Sequence, residues 1–292
     1  MHYNDQNKKT GYKMNTSFLQ DSSFVDLEKR AFEAIQRIFP CEQDLLDKIP
    51  LDTIITHFKQ DLIFQKSPFL IRIAGQSGAG KSSQIVPAIE SALQNKHYIK
   101  INVGAFAPFH PNYEKWQKFC PDQMREKTNG FALRALVVFY THCILNGVNI
   151  VFDMTLLEPE IDLYLMTLAK KMGYKIQTHV LCVPRKISDL FIRLRQLKTG
   201  RFVKPSSSGY FFNALAPCLK ALTHSDLFNR QDVLILWSHY LTHPIQRTHL
   251  NNSAVLRVLN QYRQGPLTIK NPRALLKAKK KWMTAFMEAE NV

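Results

Sequence analysis

The chain has 292 residues, with 39 lysines and arginines against 23 aspartates and glutamates, a formal net charge of +16. Hydrophobic residues make up 45% and charged residues 21%, which excludes a disordered chain and allows a buried core without disulfide staples. The five cysteines (Cys41, Cys120, Cys143, Cys182, Cys218) are scattered with no C-x-x-C pair, which argues against a disulfide framework and a zinc ribbon.

In chain order, residues 1–22 are polar and irregular and are expected to be flexible. They lack an apolar core segment, so no secretory signal is expected. Helical spacing begins at Ser23: Leu27, Ala31, Ala34, Ile35 and Ile38 share a face, Ser23 and Asp26 suit an N-terminal cap, and Pro40 ends the run. With a second short helix over 52–58, residues 23–64 read as a helical extension packed on the domain C-terminal to it. The pattern then alternates. Strands are predicted at 69–74 (FLIRIA), 98–103 (YIKINV), 149–152 (NIVF), 179–183 (HVLCV) and 233–237. Helices are predicted at 82–94, 129–146, 158–172 and 186–198, then near 210–222 and 253–262. This alternation predicts an α/β fold, a mostly parallel sheet flanked by helices. The longest apolar run, 135–140 and on to 145, is broken by Thr141 and His142 and reads as too short to cross a bilayer. A soluble protein of a reducing, cytoplasmic-type compartment is expected, with delivery into another cell left open.

The excess positive charge points to anionic ligands. It concentrates at Arg185, Lys186, Arg193, Arg195, Lys198, Arg201 and Lys204, with Asp189 the one acid among them, and again at 270–281. Residues 266–292 read as a basic, amphipathic helical tail carrying Leu275, Leu276, Trp282, Phe286 and Met287. Docking of that tail on the domain is preferred to membrane or nucleic-acid contact. His142, His179 and His239 sit among apolar neighbours without metal-ligand spacing, and Cys143 and Cys182 read as core. Tyr113 and Trp116 suit stacking on a base or sugar, but such aromatics beside a helix start are more often core.

One motif carries chemistry. Gly75-Gln-Ser-Gly-Ala-Gly-Lys81-Ser82 fits G-x-x-x-x-G-K-[ST], directly after a strand and opening a helix. Glycines there let successive backbone N–H groups turn inward around a phosphate, and the helix adds its positive N-terminal end. Lys81 can reach the β- and γ-phosphates, and the Ser82 hydroxyl can ligate Mg²⁺. The fold expected is therefore of P-loop NTPase type, with a domain over 65–265. No NKxD-type guanine-reading segment accompanies it. Asp153, at the C-terminal end of a predicted strand, is placed to face the ligand crevice rather than to cap the next helix.

The order of further blocks resembles the zeta-toxin family of P-loop kinases over roughly residues 65–240. The resemblance rests on GQSGAGKS at 75–82, HPNY at 110–113, TNG at 128–130, FDMT at 152–155 and RLRQLKTGRFVKP at 193–205. It implies a kinase that uses ATP and Mg²⁺ to phosphorylate a hydroxyl, in the toxins the 3′-hydroxyl of an amino-sugar nucleotide such as UDP-N-acetylglucosamine. Carried over residue by residue, it implies an ATP cradle of Gly75, Gln76, Ser77, Gly78, Ala79, Gly80, Lys81, Ser82 and Ser83. It implies Asp153 as a substrate or Mg²⁺ contact, and Arg193 or Arg195, together with Arg201, on the transferring phosphoryl group. Acceptor contacts are implied at His110, Asn112, Thr128, Asn129 and Thr155. A helical antitoxin-like partner is also implied, with 23–64 as a candidate internal cover of the site.

The chain departs from the family at the base. Gly104 stands where the family carries an aspartate, and no carboxylate follows before Glu114. Asp153 or His110 can take the proton; alternatively the acceptor needs no base, because phosphoryl transfer rests mainly on positioning and charge. A second departure, Leu156-Leu157, argues for an acceptor other than the toxins' own. The leading reading is a kinase of a small, anionic, nucleotide-linked metabolite. The alternatives are a nucleotide or polynucleotide kinase, and a nucleotide-binding regulatory pseudoenzyme.

Overall fold

The computed structural model describes residues 16–42, 45, 48–156, 158–199, 205–229, 231–238, 246–250 and 252–264. Six strands, β1 (Phe69–Ala74), β2 (Ile99–Ile101), β3 (Ile150–Asp153), β4 (Lys175–Cys182), β5 (Val233–Ser238) and β6 (Gln246–His249), form one sheet in the order β2-β3-β1-β4-β5-β6. Neighbours from β2 to β5 are parallel, and β6 closes the edge antiparallel to β5. The helices are α1 (Ser22–Ile38), α2 (Leu51–His57), α3 (Lys81–Ala92), α4 (Tyr113–Phe119), α5 (Pro121–Leu145), α6 (Pro159–Lys171), α7 (Arg185–Thr199), α8 (Pro205–Thr223) and α9 (Val255–Gln264).

Strand β1 is central, and its two faces serve two cores. Leu70 and Ala74 join the larger one, with α1, α5, α6, α8 and α9; Ile71 and Ile73 join Ile85, Val86 and Ile89 of α3. Such burial on both faces explains why FLIRIA reads as a nearly continuous apolar run. Arg72 interrupts that run. It is 1% exposed and pairs with Asp162 of α6, which is fully buried, so the charge in the central strand is matched from the layer above.

The expected mostly parallel α/β sheet is present, and several boundaries differ from the sequence expectation. Asp21 rather than Ser23 or Asp26 caps α1, accepting hydrogen bonds from the Ser23 backbone N–H at 2.9 Å and hydroxyl at 2.7 Å. Asp26 pairs instead with Arg30. Just before α1, Ser17–Gln20 form a 3₁₀ turn, and Phe18 packs edge-on against Phe24, so ordered packing starts inside the segment expected to be flexible. Strand β2 is three residues long, shorter than the expected 98–103; a 3₁₀ helix over Val103–Phe109 takes the last of those residues, and beyond it Gly104, Ala105 and Ala107 offer little side chain to extend a sheet. Strand β4 begins at Lys175, four residues before the expected 179.

Helix α5 starts at Pro121, eight residues before the expected 129. Its first turns (PDQMREK) are polar and carry no apolar period, while proline suits the first helical position. So lengthened, residues 123–145 are long and apolar enough to cross a membrane by length and composition, unlike the shorter stretch read from sequence. In the fold, 83% of its most apolar window is buried inside the protein. Helix α4 was given no predicted range beyond the helix start read beside Tyr113 and Trp116, and strand β6 was not expected. Strand β6 is a polar edge strand of alternating exposure, with no apolar face to mark it. The basic tail at 266–292, residues 1–15 and His239 lie outside the described residues.

Candidate active site

The C-terminal edge of the parallel sheet is where loops from adjacent strands converge, and where ligands bind in open α/β folds. Strand β1 ends at Ala74, and the chain turns through Gly75 (φ 149°), Gly78 (φ 76°) and Gly80 (φ 97°) before α3 begins at Lys81. Side chains are strained at these positive φ values. At Gly78 space also forbids one: a Cβ there would lie 2.3 Å from the Ser188 carbonyl oxygen and 2.8 Å from Ile192 Cγ1. The Lys81 ammonium folds back over the loop and donates to the Gly75 carbonyl at 2.8 Å. Ala79 is buried beneath the loop, whereas Ser82 and Ser83 are exposed at the first turn of α3, with the Ser83 hydroxyl donating to the Gly80 carbonyl at 3.1 Å.

The basic helix α7 lies directly on this loop. The buried Gln76 side chain donates to the Val183 carbonyl at 2.6 Å and to the Ser188 hydroxyl at 2.9 Å, tying the loop to the end of β4 and the start of α7. Further along α7, Arg195 donates to the Ser77 hydroxyl at 3.3 Å. Arg195 reaches the loop, Arg193 is exposed, and Arg201 lies outside the described residues.

Asp153 closes β3 beside the loop. Its register partner is Ile73 of β1, and the next backbone N–H, that of Met154, donates to the Ile73 carbonyl at 3.1 Å. Asp153 is half-buried and does not cap the following helix, whose cap position is Glu158. Thr155 follows, also half-buried. A carboxylate and the Ser82 hydroxyl are the donors here that suit a magnesium ion completed by phosphates and water. Among the described residues no group of three or more His, Cys, Asp or Glu forms a protein cage for a metal.

The remaining expected contacts lie along the β2–α5 side. His110 is buried: its Nδ1 accepts from the Asn112 backbone N–H at 3.0 Å, and its ring packs on Trp116 (4.5 Å) and Phe131 (5.0 Å). Burial lowers its pKa, with Glu42 opposing. This histidine pins the loop into α4, and Trp116 and Tyr113 are half-buried beside it. Asn112 is exposed. Thr128 is buried, its hydroxyl directed at the Arg125 carbonyl at 3.5 Å, and Asn129 is half-buried. Next to them Gly130 lets the N-terminal chain cross α5, since a Cβ there would lie 2.7 Å from the Phe39 carbonyl and 3.0 Å from that of Pro40. Sequence reading missed Ser188, an isolated polar residue whose only signal was a position at the start of a helix.

A glycine-lined phosphate cradle between a central parallel strand and a helix, with a carboxylate on the neighbouring strand, defines a P-loop nucleotide-binding fold of the kinase type. A family model described as zeta toxin matches residues 54–242, more than half of the chain, and the chain belongs to the zeta toxin family. Its fold resembles a structure from the PezAT chromosomal toxin–antitoxin system of the human pathogen Streptococcus pneumoniae, with a TM-score of 0.67 and 19% identity over 85% of this chain and 98% of that one. A complex of AvrRxo1-ORF1 with AvrRxo1-ORF2, with sulphate ions, aligns with a TM-score of 0.49 and 13% identity, covering 83% of this chain and 75% of that chain. A gluconokinase from Sinorhizobium meliloti aligns with a TM-score of 0.32 and 19% identity, covering 59% and 84%. No curated protein matches the chain by sequence.

Proposed function

We propose that this protein is an ATP- and Mg²⁺-dependent phosphotransferase that moves the γ-phosphate of ATP to a hydroxyl of a small, anionic, nucleotide-linked metabolite of UDP-sugar type. The observation that carries the reading is the stacking of a basic helix on the phosphate loop: Arg195 meets Ser77 from one side while Lys81 spans the loop from within. In this reading the backbone N–H groups of 78–82 hold the β-phosphate, and Lys81 and Arg195 balance charge on the transferring group. Ser82 and Asp153 would hold Mg²⁺, which would neutralise phosphate charge there. Arg193 and Arg201 are assigned to the same phosphates on closure, and Asn112, Asn129 and Thr155 to the acceptor side. His110 and Thr128, buried in the walls, are assigned to shaping that side rather than to proton transfer.

The test is transfer of label from γ-labelled ATP to a panel of UDP-sugars, nucleosides, nicotinamide dinucleotides and short oligonucleotides. The expected result is one labelled nucleotide-linked acceptor, with the label lost in Lys81→Ala. Labelled oligonucleotide instead would favour a polynucleotide kinase. A second reading, a nucleotide-binding regulator, is favoured by Gly104 and the absence of any carboxylate from 99 to 113; ATP binding without any turnover would establish it. The PezAT likeness supports a proteinaceous, antitoxin-like partner for this chain as well. The extension over 23–64 is assigned as a cover on the acceptor side, because residues 39–40 cross α5 at Gly130.

A further inference from the structure

The end of β2 carries a polar group that the phosphotransferase reading leaves unused. Asn102 continues β2 in extended conformation (φ −151°, ψ 158°) one residue beyond Ile101, whose register partner is Phe152. That places Asn102 opposite Asp153, which in turn stands opposite Ile73, just before the phosphate loop. Neighbouring strands are about 4.8 Å apart, so Ile73 near the end of β1, Asp153 and Asn102 form a row in steps of that size, with the loop beginning two residues beyond Ile73. Among the described residues, no side-chain hydrogen bond holds the Asn102 carboxamide, which is half-buried. Its Oδ1 lies 3.2 Å from the point where a Cβ on Gly104 would stand, so the amide oxygen occupies the space that glycine leaves open. Between 99 and 113 every other side chain is apolar or absent, except Lys100, which is committed to Glu90, and His110, Asn112 and Tyr113 beyond the 3₁₀ helix.

We propose that Asn102 is the residue that meets the acceptor hydroxyl, its Oδ1 accepting the hydrogen bond from that O–H; the proposal rests on the phosphotransferase reading. The acceptor oxygen forms its bond to the γ-phosphorus as the bond from that phosphorus to the β–γ bridging oxygen breaks and ADP leaves. A carboxamide orients the hydroxyl without removing its proton, which passes to an oxygen of the transferred phosphoryl group and from there to water. A loose transition state permits this, since little proton transfer is required before the phosphorus–oxygen bond to ADP has opened. The enzyme thereby works without a carboxylate base at the acceptor, and its rate has no carboxylate limb from this position.

The test compares wild type, Asn102→Ala and Asn102→Asp. Phosphate release from ATP, transfer to the acceptor panel, Mg-ATP affinity by calorimetry and thermal melting are measured, with rates followed from pH 4 to 8. The expected result is that Asn102→Ala turns over about ten- to a hundredfold more slowly with ATP affinity unchanged. Asn102→Asp, nearly isosteric, puts an ionisable acceptor on the same hydroxyl, and its turnover gains a rising limb in the acidic range of an ordinary carboxylate, near pH 4, that the wild type lacks. Wild-type turnover in Asn102→Ala, or no new limb in Asn102→Asp, overturns the proposal. A wild type that binds ATP yet transfers phosphate neither to an acceptor nor to water overturns the phosphotransferase reading and this proposal with it. The two failures are therefore told apart by whether the wild type turns over.

Discussion

At the scale of single residues, the site depends on positions where a side chain is forbidden. Gly78 has φ 76° and presses against the Ser188 carbonyl, so Gly78→Ala must either move α7 or open the loop. The expected outcome is a loss of ATP affinity of at least about tenfold, with a lower melting temperature, since a strained backbone position costs on the order of 1–3 kcal/mol. Unchanged affinity by calorimetry would mean that α7 does not rest on the nucleotide loop in solution. Gly104 contrasts with it. Its φ lies outside the left-handed region, and its one close neighbour is a side chain that can turn away. Backbone geometry therefore does not require glycine there. The loop glycines and Lys81 were readable because their spacing is short and fixed between a strand and a helix; Gly78 was readable as a turn, but not as the seat of α7.

At the scale of elements, the long-range ties explain what sequence alone could and could not show. Strands β1, β3 and β5 declared themselves because burial on both faces demands continuous apolar runs. Strand β6 and the first turns of α5 did not, because a polar edge and a solvated helix end leave no such pattern. Asp153 was readable as a crevice carboxylate because it ends an apolar run, whereas the contact of Arg195 with Ser77 joins residues 118 apart and no local pattern records it. Gln76 is the joint between loop and α7. Gln76→Ala should weaken ATP binding about tenfold and raise amide hydrogen exchange over 185–197, while the sheet stays protected; exchange confined to wild-type levels would show that α7 is held by other contacts. The Arg72–Asp162 pair joins β1 to α6 in the same manner, deep in the core. Asp162→Asn leaves a buried guanidinium without its counter-charge, and about 3–5 kcal/mol of stability should be lost in denaturant unfolding.

At the scale of the whole molecule, the sheet divides the labour. The middle of its C-terminal edge, after β1, carries the phosphate loop under α7, and its β2 end carries the wall with α5 that the N-terminal chain crosses. Away from that edge, His179 of β4 adds a dependence on pH. Its Nδ1 accepts from the Trp237 indole N–H at 3.0 Å, the rings stack, and burial, with Arg247 nearby, pushes its pKa down from 6.5 to about 4. A histidine kept neutral in the fold stabilises fully above its unfolded pKa, and that contribution is lost as pH falls through the window from 6.5 to about 4. Stability should therefore drop by on the order of 2–3 kcal/mol across this window, and a His179→Gln variant should lack that part of the slope.

The central claim is that ATP binds in the loop between β1 and α3, beneath α7. Titrating Mg-ATP into the wild-type protein and into Lys81→Ala by calorimetry tests it most directly. One site of saturable affinity is expected in the wild type, weakened at least about tenfold in the variant by the loss of a charged phosphate contact. Equal binding in both proteins, or none in either, would contradict it.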